Sequence, residues 1–231
     1  MEQNILDVIK NAEMFLVGIG DEFSPAVEEE GSDFLSMCRK SKFYEEVGED
    51  HEIFGTYDTL RSLIGVRPYF VVTMNTDDLI YRSSLEDDLI VAPCGSMGKL
   101  QCKEHIVDAK EIRDRVMETG NEALAVCPVC GQPLAFHTVS NPGYLEQGYL
   151  PQWEKYTKWL TCTLNRRLCI LELGVGFSYP QVVRFPFEKT AFYNQKATLI
   201  RVNSKFPQLP EELAHRGIGI RKNPLQFLKE F

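Results

Sequence analysis

Short runs of apolar residues recur along this chain, and nearly every one stops at glycines or at a polar cluster. Phe15-Leu16-Val17 meets Gly18-Ile19-Gly20. Tyr69 to Thr73 meets Met74-Asn75-Thr76-Asp77-Asp78, and Leu89 to Ala92 meets Pro93-Cys94-Gly95-Ser96. Leu168 to Leu173 meets Gly174-Val175-Gly176-Phe177, and Ala197 to Val202 meets Asn203. Runs that are mainly apolar, rather than alternating, predict strands buried on both faces, as in a parallel sheet covered by helices. Gly217 to Ile220 adds a short last strand. The segments between carry apolar residues at helical spacing. Ile5, Leu6, Val8, Ile9 and Ala12 mark an opening helix, and Tyr57, Leu60, Leu63 and Ile64 lie within a helical stretch from 36 to 66. Trp153, Tyr156, Leu160 and Leu164 mark another from Tyr149 onward, and Pro224 to Phe231 a closing one. This alternation predicts an α/β fold, a Rossmann-like doubly wound parallel sheet. Residues 1–98 and 146–231 are expected to form its main domain, with a helical insert over about 31–66.

Residues 99–145 depart from the pattern and predict a small separate module. Cys102-x-x-His105 and Cys127-Pro-Val-Cys130 each place two ligands on one tight turn, and two such turns close a tetrahedron around zinc. Gly131 suits the second turn. Four protein ligands leave no open position, so the metal is expected to be structural. Between the pairs, Ile112 and Val116 are spaced for a mostly solvated helix. His51 stands alone in an acidic loop and receives no role. In open α/β sheets, ligands bind outside the carboxyl ends of the strands. Here those ends deliver Gly18, Ile19, Gly20, Asn75, Asp77, Cys94, Gly174, Val175, Gly176 and Asn203. Glycine permits positive φ and close backbone approach to a pyrophosphate. Asn and Asp are equally at home as turn formers. Asp21 and Glu22 follow the first glycines directly and oppose a phosphate unless they point away.

Composition narrows the partners. A chain of 231 residues can bury a full core, and its 44% hydrophobic and 25% charged content are those of an ordinary globule. A net charge of −8 excludes a basic field for nucleic acid or an anionic membrane surface. No apolar run approaches the roughly 20 residues that span a bilayer. The stretch MEQNILDVIKNAEMF has no basic n-region of a secretory signal. Seven cysteines, with the paired ones at metal spacing, fit reduced thiols in a cytoplasmic protein.

Taken in order, these motifs resemble the sirtuins, NAD-dependent protein-modifying enzymes. That family places G-A-G-I-S after its first strand, T-Q-N-I-D after a second and H-G-S after a third, ahead of a zinc CxxC. The corresponding residues here are Gly18-Ile19-Gly20, Thr73-Met74-Asn75-Thr76-Asp77 and Cys94-Gly95-Ser96. Met74 stands for the Gln, Cys94 for the catalytic His and His105 for one of four zinc cysteines. Gly174 to Phe177 stands for a G-T-S, and Gly31-Ser32-Asp33-Phe34 for G-I-P-D-F-R, with Leu35 in the Arg place. The run Leu171 to Lys189 is similar to the macrodomain-linked sirtuins of bacteria and fungi. Those also lack the usual His and act as protein mono-ADP-ribosyltransferases, with lipoyl-carrier proteins among their targets. The resemblance implies NAD as cofactor and a structural zinc. It assigns Gly18, Ile19 and Gly20 to the pyrophosphate, with backbone groups of Gly174, Val175 and Gly176 replacing the lost hydroxyls. Asn75 and Asp77 face the nicotinamide ribose and carboxamide, Asn203 the adenine-side ribose, and Asn75, Asp77 and Cys94 form the catalytic set. Arg184, in the same run, is read as a partner for a phosphate or substrate carboxylate, or as a solvated surface residue.

Sirtuin deacylation needs a base to remove a ribose hydroxyl proton, and a thiol with an ordinary pKa of about 8.5 serves poorly. Transfer of ADP-ribose to a side-chain nucleophile omits that step. The expectation is therefore a protein mono-ADP-ribosyltransferase that consumes NAD and releases nicotinamide. A protein-lysine deacylase with non-standard catalytic residues stays open, as does a non-catalytic NAD or ADP-ribose binding module. His137 lies where the family has V-V-x-F-G-E and is read as a substitute base or as a packed or solvated histidine. Cys94 has its own plain reading as a small buried apolar residue.

Overall fold

The structure is a computed structural model and describes residues 2–28 and 31–231. Along the chain run α1 (Glu2–Asn11), β1 (Met14–Ile19), α2 (Phe34–Glu46), α3 (Glu52–Ile64), β2 (Tyr69–Thr73) and β3 (Ile90–Val91). Then come β4 (Gly95–Gln101), β5 (Ile106–Asp108), α4 (Lys110–Thr119) and β6 (Ala135–Thr138). The last elements are α5 (Leu150–Thr161), β7 (Leu168–Leu173), α6 (Arg184–Tyr193), β8 (Thr198–Val202), β9 (Gly217–Ile220) and α7 (Pro224–Leu228). Six strands form a parallel sheet in the order β3-β2-β1-β7-β8-β9. The chain builds outward from β1 through β2 to β3, then returns and builds the other way from β7. That reversal opens a crevice at the carboxyl ends of β1 and β7.

The apolar runs are strands because both of their faces are covered. Phe15, Val17 and Ile19 of β1 share a core with Ile5 and Ile9 of α1, Tyr57 and Leu60 of α3, and Phe227 of α7. Leu16, Phe70 and Ile170 point to the opposite face and meet Tyr156 of α5 and Phe187 of α6. Each such fully buried side chain contributes roughly 1.5–3 kcal/mol.

A second, antiparallel sheet has the order β5-β4-β6. Cys38 of α2, Val116 of α4, Leu100 and Phe136 share its core. The helical stretch of 36–66 is in fact two helices serving different sheets: α2 packs with the small one, α3 with the large one. Both have side-chain caps, which satisfy free backbone N–H groups at a helix start. Asp33 Oδ1 accepts from Ser36 N–H at 3.0 Å, and His51 Nδ1 accepts from Ile53 N–H at 3.2 Å. His51 therefore has a structural role. The run at Leu89 supplies only a two-residue strand, because Leu89 closes a 3-10 turn from Asp87. Leu164 lies beyond α5 and is exposed. On α4, Arg113 is buried, donating to Ser41 Oγ at 3.2 Å and pairing with Glu45. Among the described residues, no helix is long and apolar enough to cross a membrane.

Candidate active site

β1 ends at Ile19 and the chain turns at Gly20, whose N–H donates to Leu173 O at 2.9 Å. A Cβ on Gly20 would stand 2.5 Å from Val175 Cα and 2.7 Å from Gly174 O, so the turns after β1 and β7 touch backbone to backbone. Gly174 has φ of +68° and donates its N–H to Val202 O at 2.8 Å, which fastens the second turn to β8. Gly176 differs. The only non-neighbouring atom near a Cβ placed there is Asp21 Oδ2, at 3.7 Å, so its face opens on space. Gly18 lies inside β1, and the room its missing Cβ leaves is filled by Val183 Cγ1 and Phe187 Cε2, at 2.5 and 2.7 Å from that position. The structure thus gives Gly18 a packing role under α6.

The segment Glu22-Phe23-Ser24 stitches the strand ends together. Glu22 accepts from Ser204 N–H at 2.9 Å and from the Ser204 hydroxyl. Asn75 Nδ2 donates to Phe23 O at 2.6 Å, and Ser24 Oγ donates to Asp77 Oδ2 at 2.6 Å. The other Asp77 oxygen accepts from Leu79 N–H at 3.0 Å. Burial raises the Asp77 carboxyl above its ordinary pKa, and these hydrogen bonds act against it.

Asn203 is 1% exposed. Its Oδ1 accepts from the N–H groups of Lys205 and Phe206 at 2.9 and 2.6 Å, while Nδ2 donates to Val175 O at 3.1 Å. The side chain supports the turn after β7 from within. Arg184 does the same and follows neither expectation for it, because it is buried with internal partners. It donates to Val175 O at 3.2 Å and Phe206 O at 3.0 Å, and lies 3.6 Å from Glu172. Glu172 is held two-fold by Arg201, at 2.7 and 2.9 Å. A buried carboxylate and two guanidiniums thus brace the β7 and β8 turns, and the pairing offsets a desolvation penalty that would otherwise be several kcal/mol per ion.

Between the two sheets lies a cavity of about 640 Å³. Met74, Thr76 and Cys94 bound it on the large sheet, Met37, Met97 and Phe136 on the small one, and Asp21 and Tyr179 at the crevice end. Cys94 is 2% exposed, and burial, with a further push from Asp21, drives its thiol up to about 12. It is no base at neutral pH. His137 does not replace it. That residue is buried, its Nδ1 is 2.7 Å from Gln101 Oε1, and burial lowers its pKa. It borders a different cavity of about 430 Å³ with Asp78, Ser96 and Tyr149.

The ligand atoms of Cys102, His105, Cys127 and Cys130 all lie within 4.8 Å of one another. Cys102 Sγ is 3.7 Å from Cys130 Sγ and 3.5 Å from His105 Nδ1. Tetrahedral zinc with its usual bond lengths requires about 3.8 Å and about 3.5 Å for those pairs. The Glu104 and His105 N–H groups point at Cys102 Sγ from 3.5 and 3.3 Å, which favours a thiolate. Gly131, with φ of +72°, closes the other knuckle, donating to Cys127 O at 2.8 Å. This donor set fits a structural zinc. For NAD the fit rests on Gly176, which opens on space, and on the cavity that runs from Asp21 and Tyr179 to Met74 and Cys94.

The reversing parallel sheet, the small antiparallel sheet and the Cys3His cluster together define a protein of sirtuin fold. The solved structure of Sir2Tm bound to a propionylated peptide superposes with a TM-score of 0.63 at 14% identity, covering 99% of this chain and 95% of that one. Sir2Af2 bound to a myristoylated histone peptide gives 0.64 at 18%, covering 100% and 95%. A Sir2 mutant with a peptide and NAD gives 0.63 at 14%, covering 100% and 96%. No family model matches the chain. Among curated proteins it is similar to a protein ADP-ribosyltransferase of Staphylococcus aureus, 22% identical over 186 residues, 75% of this chain and 59% of that protein. It is also similar to a probable bifunctional ADP-ribose hydrolase/ADP-ribosyltransferase of Fusarium oxysporum, 26% identical over 150 residues, 58% of this chain and 25% of that protein. The chain therefore spans less than two thirds of either curated relative.

Asp21, Ser24 and Asp78 were not singled out by the sequence as site residues. Acids and serines in a turn read as solvated loop; the fold sets the Asp21 carboxylate beside Gly176, Ser24 on Asp77, and Asp78 at the cavity it shares with His137.

Proposed function

We propose that this chain is an NAD-consuming protein mono-ADP-ribosyltransferase that releases nicotinamide. One observation carries the reading: where a sirtuin deacylase keeps its base, this site has Cys94, a buried thiol driven up to about 12. General-base assistance is typically worth about 10²–10⁴-fold, so its loss removes practical deacylation. Two similar curated proteins named for ADP-ribosyl transfer support the choice.

In this reading NAD supplies the ribosyl carbon and a nicotinamide leaving group. Asn75 and Asp77 face the nicotinamide ribose and carboxamide from the end of β2. Backbone groups of Ile19, Gly20, Gly174, Val175 and Gly176 border the pyrophosphate, with Gly18 and Asn203 shaping those turns from behind. Cys94 lines the catalytic pocket as an apolar wall. Cys102, His105, Cys127 and Cys130 hold zinc as a structural clamp for the small sheet, in a module of residues 99–145. The acceptor is a protein, and a lipoyl-carrier protein is the first to try. A cytoplasmic location suits the free thiols.

Purified protein is incubated with NAD labelled in its adenosine half, a lipoyl-carrier protein and, separately, an acyl-lysine peptide. The expected result is label on protein and free nicotinamide, with the acyl peptide untouched. Acyl-ADP-ribose at rates matching ordinary sirtuins overturns the reading. NAD binding without nicotinamide release replaces it with a binding module.

A further inference from the structure

Removal of the acceptor's proton has no owner in the site so far described, because the Cys94 thiol is unavailable and His137 faces another cavity. We propose that Asp21 is a catalytic residue: its carboxylate takes the proton from the nucleophile, a protein side chain or water, that displaces nicotinamide. The proposal rests on the NAD-consuming reading above.

Three observations place Asp21. It follows Gly20 at the end of β1, the central strand at the sheet's reversal point. Its Oδ2 lies 3.7 Å from the Cβ position of Gly176, the glycine of the β1 and β7 turns that opens on space. It lines the same cavity as Cys94 and Met74, close enough to raise the Cys94 thiol. The carboxylate therefore reaches both the turn assigned to the dinucleotide and the chamber assigned to the reacting groups.

Its neighbours leave it available. The other acids near these strand ends are engaged: Glu22 by Ser204, Asp77 by Ser24 and Leu79, and Asp78, which borders the other cavity, by Ser96 and Gly98. The hydrogen bond that acts on Asp21 comes from its own main-chain N–H. The groups facing it are Glu22 on the same turn, Lys40 and Tyr44 from α2, Cys94 after β3 and Tyr179 after β7. Lys40 is tied to Gly31 O at 2.9 Å. Partial desolvation at the crevice wall first, then Glu22, raises the Asp21 pKa, and no cation opposes them. Although Asp21 is solvent-accessible, these surroundings make it a stronger base than an ordinary aspartate.

The step balances without oxidant or reductant. The C1′–N bond of NAD breaks, and its electron pair leaves with neutral nicotinamide. The nucleophile's lone pair forms the new bond to C1′, and its proton passes to Asp21 and then to water.

Asp21→Asn keeps the shape and turn propensity while removing the base. The expected result is a fall in nicotinamide release of about 10²–10⁴-fold, with the acid limb of the pH profile lost. Calorimetry should show NAD bound as tightly or more tightly, since a negative charge beside an anion is gone. Azide, a nucleophile with no proton to surrender, should restore release in the variant and not accelerate the wild type. In the unliganded protein, a carboxyl resonance titrating above the ordinary aspartate value of about 3.9 should vanish in the variant. Asp21→Ser serves as a second variant read the same way. Wild-type turnover in Asp21→Asn overturns the proposal. So does slow turnover with weakened NAD binding and no azide rescue, which would make Asp21 a turn-former. A wild-type protein that binds NAD and releases no nicotinamide overturns the underlying reading itself.

Discussion

Asp78 sits in the left-handed region, with φ of 59°, and accepts from the Ser96 hydroxyl and from Gly98 N–H at 3.2 Å. Burial pushes its carboxyl up to about 6. A folded-state pKa above the unfolded value means that the folded protein holds the proton more tightly. The stability this confers is full below about pH 4 and is lost as pH rises through about 6. Asn accepts the same two hydrogen bonds and tolerates that backbone region. Asp78→Asn should therefore match or exceed the wild type in stability at pH 8, by up to about 3 kcal/mol, and show little gain at pH 4. Urea unfolding at the two pH values measures this, and an equal difference at both would refute the assignment. Residues like this one, and like His51 and Arg184, are opaque in a sequence. Their roles depend on which partner the fold brings near: a helix N-terminus for His51, three loop carbonyls and Glu172 for Arg184.

At the scale of elements, the turns after β1 and β7 form one unit, and two of their glycines behave oppositely. Gly20→Ala drives a methyl into the Val175 backbone at 2.5 Å, which cannot yield as a side chain end could. The expected cost is about 1–3 kcal/mol in denaturant unfolding. Gly176→Ala meets nothing closer than 3.7 Å and should leave stability unchanged. Its methyl would occupy the space through which a pyrophosphate approaches the backbone, so NAD affinity should fall on the order of tenfold, or about 1.4 kcal/mol. Calorimetry on Gly176→Ala showing undiminished NAD affinity would move the phosphate elsewhere. The strands of the large sheet were legible because they are mainly apolar, with Glu172 in β7 and Arg201 in β8 as buried exceptions that pair with each other. β4, β5 and β6 were not, because Gly-Ser-Met-Gly-Lys-Leu-Gln lacks a sustained alternation and β4 carries a register shift between Ser96 and Leu100. Their pairing brings Cys102 and His105, between β4 and β5, beside Cys127 and Cys130, and α2 packs on β4 and β6.

Across the whole molecule, two sheets with separate cores flank the cavity of about 640 Å³, and α2 belongs to the smaller of them. Cys102→Ser should lower zinc content below one per chain and strip hydrogen-exchange protection from β4 and β6. Protection in β1, β2 and β7 should persist, because their core includes no zinc ligand. Simultaneous loss in both sheets would show that they unfold as one unit. The chain's sequence by itself determined the parallel sheet, the order of its turns and the two ligand pairs, Cys102 with His105 and Cys127 with Cys130, that the fold gathers into one cluster. Those features are local: an unbroken apolar run has no stable place except between two layers, and paired thiol and imidazole ligands carry their geometry in their spacing. Only the tertiary structure decided that α2 crosses to the small sheet, that His137 faces away from Cys94, and that the Asp21 carboxylate lies beside Gly176 and lines the Cys94 cavity. Those facts depend on which surfaces are left after the sheet has closed, and no short-range pattern records them.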